Sequence, residues 1–197
     1  AARAYLKPYL RTPTYHASWE LQGFSADDWE APGSDRLVSA MVALGSDAGV
    51  RTRALLTAMD TAPGLTAGNA LEVRESVEVL AGGGPADVVE LTIVLAREML
   101  EAAEVRGPDP AEVLADGRAM DSWRRMIAAQ GGDPDAPLPV AREQHVVLAP
   151  ESGVLATLDA YAVGVAAWRL GAGRALKEDP VSAGAGIELH AKPGDLV

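Results

Sequence analysis

Residues 62–68 form a Pro-Gly loop that leads directly into a helix-like segment, and together they could bind a hard cation. Backbone carbonyls of the loop can face an ion, and Glu75 would add a carboxylate from the second turn of the helix. Carbonyl and carboxylate oxygens are the ligands that hard metal ions prefer. An ordinary turn followed by a solvated glutamate explains the same residues, because charged side chains are usually solvated. The sequence leaves both interpretations open.

A second candidate is the segment G-A-G-R at residues 171–174, followed by Lys177. Backbone amides and two cationic side chains at this spacing could bind an anion. The segment lacks the G-x-x-x-x-G-K-[ST] frame of a P-loop. A tight turn at the end of the preceding helix explains it equally well.

Other catalytic classes find no support in the residue pattern. The three histidines, His16, His145 and His190, lie in separate segments without i,i+4 spacing, so we expect no zinc site. The serines lack a G-x-S-x-G elbow, which argues against a serine hydrolase of that type. Cysteine is absent, which excludes disulfides, thiolate metal ligands and a cysteine nucleophile.

Helical periodicity predicts the elements that would position these groups. Asn69 is predicted to cap a helix over residues 69–81, with Glu72 completing a capping box. On that helix Val73 is predicted to face the core, and Glu75 lies on the polar face. Further helices are predicted over residues 34–49, 85–105, 111–116, 119–129 and 159–170. The spacing of Tyr5, Leu6, Tyr9 and Leu10 predicts a helix near the N-terminus, stopped by Pro13.

Short apolar segments predict strands over residues 50–59, 143–149, 153–158 and 187–192. A Pro- and Gly-rich stretch at 131–142 reads as a linker. The predicted class is therefore α/β, with a helix-rich partial α/β lobe at 47–130 and a small, partial α/β C-terminal lobe at 143–197. Residues 1–46 form a helical segment of different aromatic content, which indicates a different origin.

Composition limits the partners. Hydrophobic residues make up 48% of the 197, and no apolar run approaches the length of a membrane span, so we expect no membrane association. The formal net charge of -11 would repel a phosphate backbone, which argues against nucleic acid. The missing apolar signal region and the missing cysteines fit a cytoplasmic protein.

Six strings in order give the chain from about Gly45 onward a resemblance to thymidine and pyrimidine-nucleoside phosphorylases. They are A-G-V-R-T-R-A-L-L-T-A-M-D at 48–60, A-G-N-A-L-E-V-R-E-S at 67–76, A-A-Q-G-G-D at 128–133, A-P-E-S-G at 149–153, L-G-A-G-R-A-L-K-E-D at 170–179 and L-H-A-K-P-G-D at 189–195. The resemblance implies a dimeric pentosyltransferase that converts a pyrimidine nucleoside and phosphate into the free base and a pentose 1-phosphate.

The resemblance also implies a cation site. Matching positions assigns a K⁺-like monovalent cation to the carbonyls of Pro63 and Thr66 and the side chain of Glu75. This loop departs from the family pattern, with Ala62-Pro63 where a Pro-Leu pair is usual. A carbonyl ligand survives that exchange, because every residue carries one.

Several family motifs do not occur in the chain: a phosphate loop of the type K-H-S-T-G-G, an H-T-G-G-T turn, and the arginine and S-x-x-K contacts to the pyrimidine. No phosphate or base ligand can therefore be assigned. We expect a fragment or chimera that is inactive alone. The alternative is a binding or assembly module that completes a site with another chain, as a homodimer or with a complementing partner.

Residues 1–46 resemble a late segment of luciferase-like, deazaflavin-dependent oxidoreductases. The strings are Y-L-K-P-Y-L at 5–10, P-T-Y at 13–15, L-Q-G-F at 21–24 and G-S-D-R-L-V-S-A-M-V-A-L-G at 33–45. They contain no cofactor-binding motif. A further alternative is therefore a fragment of such an oxidoreductase, fused near residues 45–49.

Overall fold

The computed structural model describes residues 34–55, 57–58 and 60–197. The described residues fall into two compact units, one of residues 34–55, 57–58 and 94–107, the other of residues 60–93 and 108–197. The described chain is mostly helical, with one small antiparallel sheet. The helix predicted near Tyr5 and most of the oxidoreductase-like segment lie outside the described residues.

All six helices predicted beyond residue 33 are present, with ends shifted by a few residues. They are α1 Ser34–Asp47, α2 Asn69–Leu80, α3 Ala86–Ala102, α4 Pro110–Ala115, α5 Arg118–Ala129 and α6 Ala160–Ala167. A π-helical turn, Trp168–Ala172, follows α6 directly. Two of the α-helices begin with a side-chain cap. Asp109 accepts a hydrogen bond from Ala111 N in α4, and Asp159 accepts one from Ala162 N in α6.

The predicted cap of α2 is wrong. Gly68 is the N-cap residue, and Asn69, the first residue of α2, instead donates its side-chain amide to Ala172 O at 2.7 Å. Glu72 does reach back to the start of the helix, but its Oε1 accepts a hydrogen bond from Gly68 N at 2.7 Å, one residue before the predicted cap. A distant carbonyl therefore competes successfully for the Asn69 side chain.

The sheet consists of β1, Thr66–Gly68, and β2, Gly186–Glu188. Thr66 lies opposite Glu188 and Gly68 opposite Gly186. A hydrogen bond from Leu189 N to Leu65 O, at 2.7 Å, extends the pairing by one residue. β2 confirms part of the strand predicted at 187–192, whereas β1 was not predicted, because its residues read as loop.

The other predicted strands are not formed in the described residues. At 143–149 the chain has no ladder and is exposed throughout. At 153–158 the pairing is confined to the first three residues: Val154 lies opposite Leu196, and four backbone hydrogen bonds join Gly153 and Leu155 to residues 194–197. At 50–58 the described residues have no ladder, and Arg53 pairs with Glu98 and Glu101 at 2.9 and 2.7 Å. An apolar segment becomes a strand only where a second strand supplies hydrogen-bond partners.

In the second unit, α2 and α6 both pack against the sheet. The most buried apolar side chains there are those of Ala70, Val79, Leu114, Val163 and Ala167. Val73, predicted to face the core, is instead 41% exposed. None of the helices in the described ranges is both long and apolar enough to cross a membrane.

Replacing Val79 with alanine should lower the free energy of unfolding by about 2 kcal/mol, because the two lost methyl groups leave buried space on α2. Val79 is 4% exposed, and Val73 on the same helix provides a matched control. Urea unfolding followed by circular dichroism measures both variants. Equal losses for Val79→Ala and Val73→Ala would contradict this description of the core.

Candidate functional site

The loop before α2 is attached to α2 through the carboxylate of Glu75. Leu65 N donates to Oε1 and Oε2 of Glu75 at 3.0 and 2.9 Å, and the Thr66 hydroxyl donates to Oε1 at 2.5 Å. Glu75 is 8% exposed, the only charged residue among the buried residues of the described chain. The expectation that Glu75 lies on the solvated polar face of its helix is therefore wrong.

Burial of Glu75 leaves a negative charge among neutral donors. A backbone N–H and a hydroxyl stabilise a carboxylate through hydrogen bonds, but neither carries a compensating charge. Burying a charge is costly unless hydrogen bonds or an opposite charge offset the lost hydration. This arrangement gives the carboxylate a physical reason to accept a cation.

Gly64 lets the loop approach this carboxylate. Its φ of 72° lies in the left-handed region, and a Cβ at this position would lie 2.1 Å from Glu75 Oε2. A side chain here would have to displace a carboxylate that is held by Leu65 N. Glycine is thus required both by the backbone conformation and by the space.

A second carboxylate holds the same loop from the other side. Asp87, in the first turn of α3, accepts a hydrogen bond from Gly64 N at 3.1 Å. Lys192 Nζ lies 2.7 Å from Asp87 Oδ2 and 2.8 Å from Ala62 O. Partial burial raises the pKa of the Asp87 carboxyl, but the hydrogen bonds from Lys192 and Gly64 outweigh it and hold that pKa below its ordinary value.

Sequence reasoning missed Asp87 and Lys192. Asp87 lies 12 residues beyond Glu75 in the sequence. Its position in the first turn of α3 is already explained by the favourable interaction of an acidic side chain with a helix N-terminus. Lys192 lies within the string L-H-A-K-P-G-D, but its spacing to residues 62–64 carries no periodic signal. Only their meeting in space identifies them.

The three predicted cation ligands lie on this loop and helix. Pro63 is in the loop, Thr66 begins β1, and Glu75 is in α2. Leu189 N donates to Leu65 O, and in an antiparallel ladder this makes Ala67–Ile187 the next hydrogen-bonded pair, so the Thr66 carbonyl points away from β2. Two carbonyls and a buried carboxylate form a hard-oxygen donor set, and this chemistry fits a monovalent cation or calcium.

The other candidate site is a closed turn. Asp179 Oδ2 accepts hydrogen bonds from Ala175 N and Leu176 N at 3.1 and 2.8 Å, and Arg174 donates to Lys177 O at 3.2 Å. The amides next to residues 171–174 therefore already bind a carboxylate of the chain, which favours the turn interpretation. No cluster of three metal-binding side chains occurs within the described ranges, where His145 and His190 both lie exposed.

Gly64→Ala should destabilise the protein more than Gly82→Ala. Both residues have positive φ, so both substitutions carry the left-handed penalty of about 1–2 kcal/mol. Only the Cβ at position 64 meets the Glu75 carboxylate, whereas nothing lies within 4 Å of one at position 82. We expect an additional loss of about 1–2 kcal/mol from the displaced hydrogen bonds of Glu75. Chemical unfolding of the two variants checks this, and equal losses would disprove the close approach.

Comparison with known proteins identifies the family that this chain resembles. The profile of the family described as pyrimidine nucleoside phosphorylase C-terminal domain matches residues 154–197. The chain is 56% identical over 161 residues to the thymidine phosphorylase of Mycobacterium tuberculosis (strain ATCC 25618 / H37Rv), covering 82% of this chain and 38% of that protein.

Pyrimidine-nucleoside phosphorylases from other bacteria also match. The Bacillus subtilis (strain 168) protein is 40% identical over 172 residues, and the Geobacillus stearothermophilus protein is 37% identical over 172 residues. Each match covers 82% of this chain and 40% of the relative. The chain thus spans well under half the length of these relatives, and as a partial sequence it belongs to the thymidine/pyrimidine-nucleoside phosphorylase family.

Proposed function

We propose that this chain is the part of a pyrimidine-nucleoside phosphorylase that carries the cation loop and part of the C-terminal domain. The whole enzyme would convert a pyrimidine nucleoside and phosphate into the free base and a pentose 1-phosphate. The observation that carries the proposal is the 56% identity over 161 residues to a protein named thymidine phosphorylase. The finer fold assignment, partial α/β lobes at 47–130 and 143–197, is part of the same proposal.

The cation site is included in this proposal. The carbonyls of Pro63 and Thr66 and the carboxylate of Glu75 would hold a K⁺-like monovalent ion. When bound, the ion would supply a fixed positive charge that compensates the buried carboxylate. Its support is the donor chemistry and the neutral partners of Glu75, namely Leu65 N and the Thr66 hydroxyl.

The chain alone would not catalyse phosphorolysis. That reaction needs hydrogen-bond donors placed around the phosphate and around the charge that develops on the leaving base. The family motifs that would provide them are not in the sequence. The proposed role is therefore structural support of a site whose substrate contacts come from elsewhere in a complete phosphorylase.

A segment exchange tests this role directly. The aligned 161 residues of the M. tuberculosis thymidine phosphorylase are replaced with those of this chain, and thymidine phosphorolysis is measured as released thymine. We expect the hybrid to retain activity within about tenfold of the parent enzyme, a loss of about 1.4 kcal/mol in transition-state stabilisation.

Two controls decide the outcome. Circular dichroism and thermal unfolding establish that the hybrid folds, and the unmodified chain is assayed alone under the same conditions. A folded hybrid without activity would contradict the proposed role. Thymine release by the chain alone above the buffer control would contradict its incompleteness.

An assembly module is the second candidate, favoured by one observation. Val146, Val147 and Leu148, here called the apolar strip, are 68%, 87% and 80% exposed. Exposed contiguous apolar residues commonly mark interaction surfaces. We propose as its occupant the phosphorylase portion that this chain does not align with, because the M. tuberculosis relative is matched over only 38% of its length.

Mixing tests this assembly. The chain is combined with the unaligned portion of the M. tuberculosis enzyme, and complex formation is measured by sedimentation velocity. Val147→Lys should weaken the complex at least about tenfold, because a buried lysine would lose its hydration. Val181→Lys, at another exposed valine, should leave it unchanged. A chain that stays monomeric in the mixture would remove this candidate.

A further inference from the structure

Asp87 fixes the orientation of the Pro63–Gly64 peptide, which carries one of the predicted cation ligands, the Pro63 carbonyl. The Pro63–Gly64 peptide is trans, so the Pro63 carbonyl and the Gly64 N–H point in opposite directions. Gly64 N donates to Asp87 Oδ2 at 3.1 Å. Because the peptide unit is rigid, the hydrogen bond on one side fixes the aim of the carbonyl on the other.

Lys192 holds the preceding peptide. Its Nζ donates to Ala62 O at 2.8 Å and to Asp87 Oδ2 at 2.7 Å, so one ammonium bridges the loop and the carboxylate. The backbone of Lys192 is in turn held by Asp195, whose Oδ2 accepts from Lys192 N at 2.8 Å and whose N–H donates to Lys192 O at 3.0 Å. The Lys192 side chain thus extends from a turn that the hydrogen bonds of Asp195 stabilise.

The second predicted carbonyl is aimed in the same way. Antiparallel pairing requires Ala67 N to donate to β2, since the Leu65–Leu189 and Ala67–Ile187 pairs are the hydrogen-bonded ones. The Thr66 carbonyl shares the peptide plane of Ala67 N and points the other way. The Thr66 carbonyl is therefore oriented by β2, and the Pro63 carbonyl by Asp87, whose carboxylate is bound by Lys192.

We propose that Asp87 and Lys192 are positioning residues that aim the Pro63 carbonyl at a bound monovalent cation. This inference rests on the cation site in the proposed function. Asp87 and Lys192 act through the loop backbone and do not themselves bind the ion. Their opposite charges compensate each other, so Lys192 does not impose an unbalanced positive charge beside the cation.

A pair of variants with unchanged net charge separates geometry from electrostatics. Asp87→Ala combined with Lys192→Met removes both charges and the acceptor of Gly64 N–H. Asp87→Asn combined with Lys192→Met removes the same charges but retains an amide oxygen that can accept from Gly64 N–H. The two double variants differ only in whether the Pro63–Gly64 peptide keeps its anchor.

The readout is cation binding by the full chain. The unfolding temperature is measured as KCl replaces tetramethylammonium chloride at constant ionic strength, and the half-saturating K⁺ concentration is obtained from the stabilisation. We expect the alanine double variant to raise that concentration about tenfold, as loss of outer-shell contacts to a metal site does. The asparagine double variant should stay within about threefold of the parent chain, because its hydrogen bond is kept.

A matched control removes an ion pair elsewhere. Asp116→Ala with Arg118→Met also takes away a carboxylate that accepts a backbone N–H and pairs with a cation at 2.6 Å, and it should leave the K⁺ dependence unchanged. If the alanine and asparagine double variants require the same K⁺ concentration, the positioning role is wrong. It is equally overturned if the parent chain gains no stability from K⁺. A segment-exchange hybrid that remains active in that case would leave the phosphorylase proposal standing, so the two failures are distinguishable.

Discussion

The contact between the Glu75 carboxylate and the preceding loop is the constraint on which the candidate site depends. Glu75 reaches back from α2 to Leu65 N and the Thr66 hydroxyl, and so closes the loop onto its own helix. A carboxylate with 8% exposure forgoes most of its hydration. The loop must therefore supply donors at fixed positions, which favours a single loop conformation over many. Glycine at position 64 makes the approach sterically possible.

Residues 186–195 provide the remaining contacts that hold the loop before α2. β2 pairs with β1, and Lys192 reaches Ala62 O and Asp87. These contacts join segments more than 100 residues apart in sequence, at separations of 130 and 105 residues for the two Lys192 hydrogen bonds. Chain closure over such distances costs entropy that local helices do not incur. The loop is therefore shaped by residues on both sides of the helical region.

The segment that matches the family profile contains residues that contact this loop. The residues matched by the C-terminal domain profile, 154–197, include both β2 and Lys192. Residues in the later part of this matched segment thus help to shape the loop at 62–68, which precedes the segment in sequence. Substrate-binding groups of the phosphate and base type do not enter this description, because the relevant motifs are not in the sequence.

Local patterns in the sequence determined the helices, the hard-oxygen character of the loop and the choice of Glu75 as a candidate ligand. They failed where the outcome depended on distant groups: Asn69 bonds Ala172 O instead of capping, and residues 143–149 find no strand to pair with. Only the tertiary structure decided that Glu75 is buried and that Lys192 meets Asp87. The physical reason is range, since helical periodicity is set by residues three and four apart, whereas ladders and buried charges depend on segments the folded chain brings together.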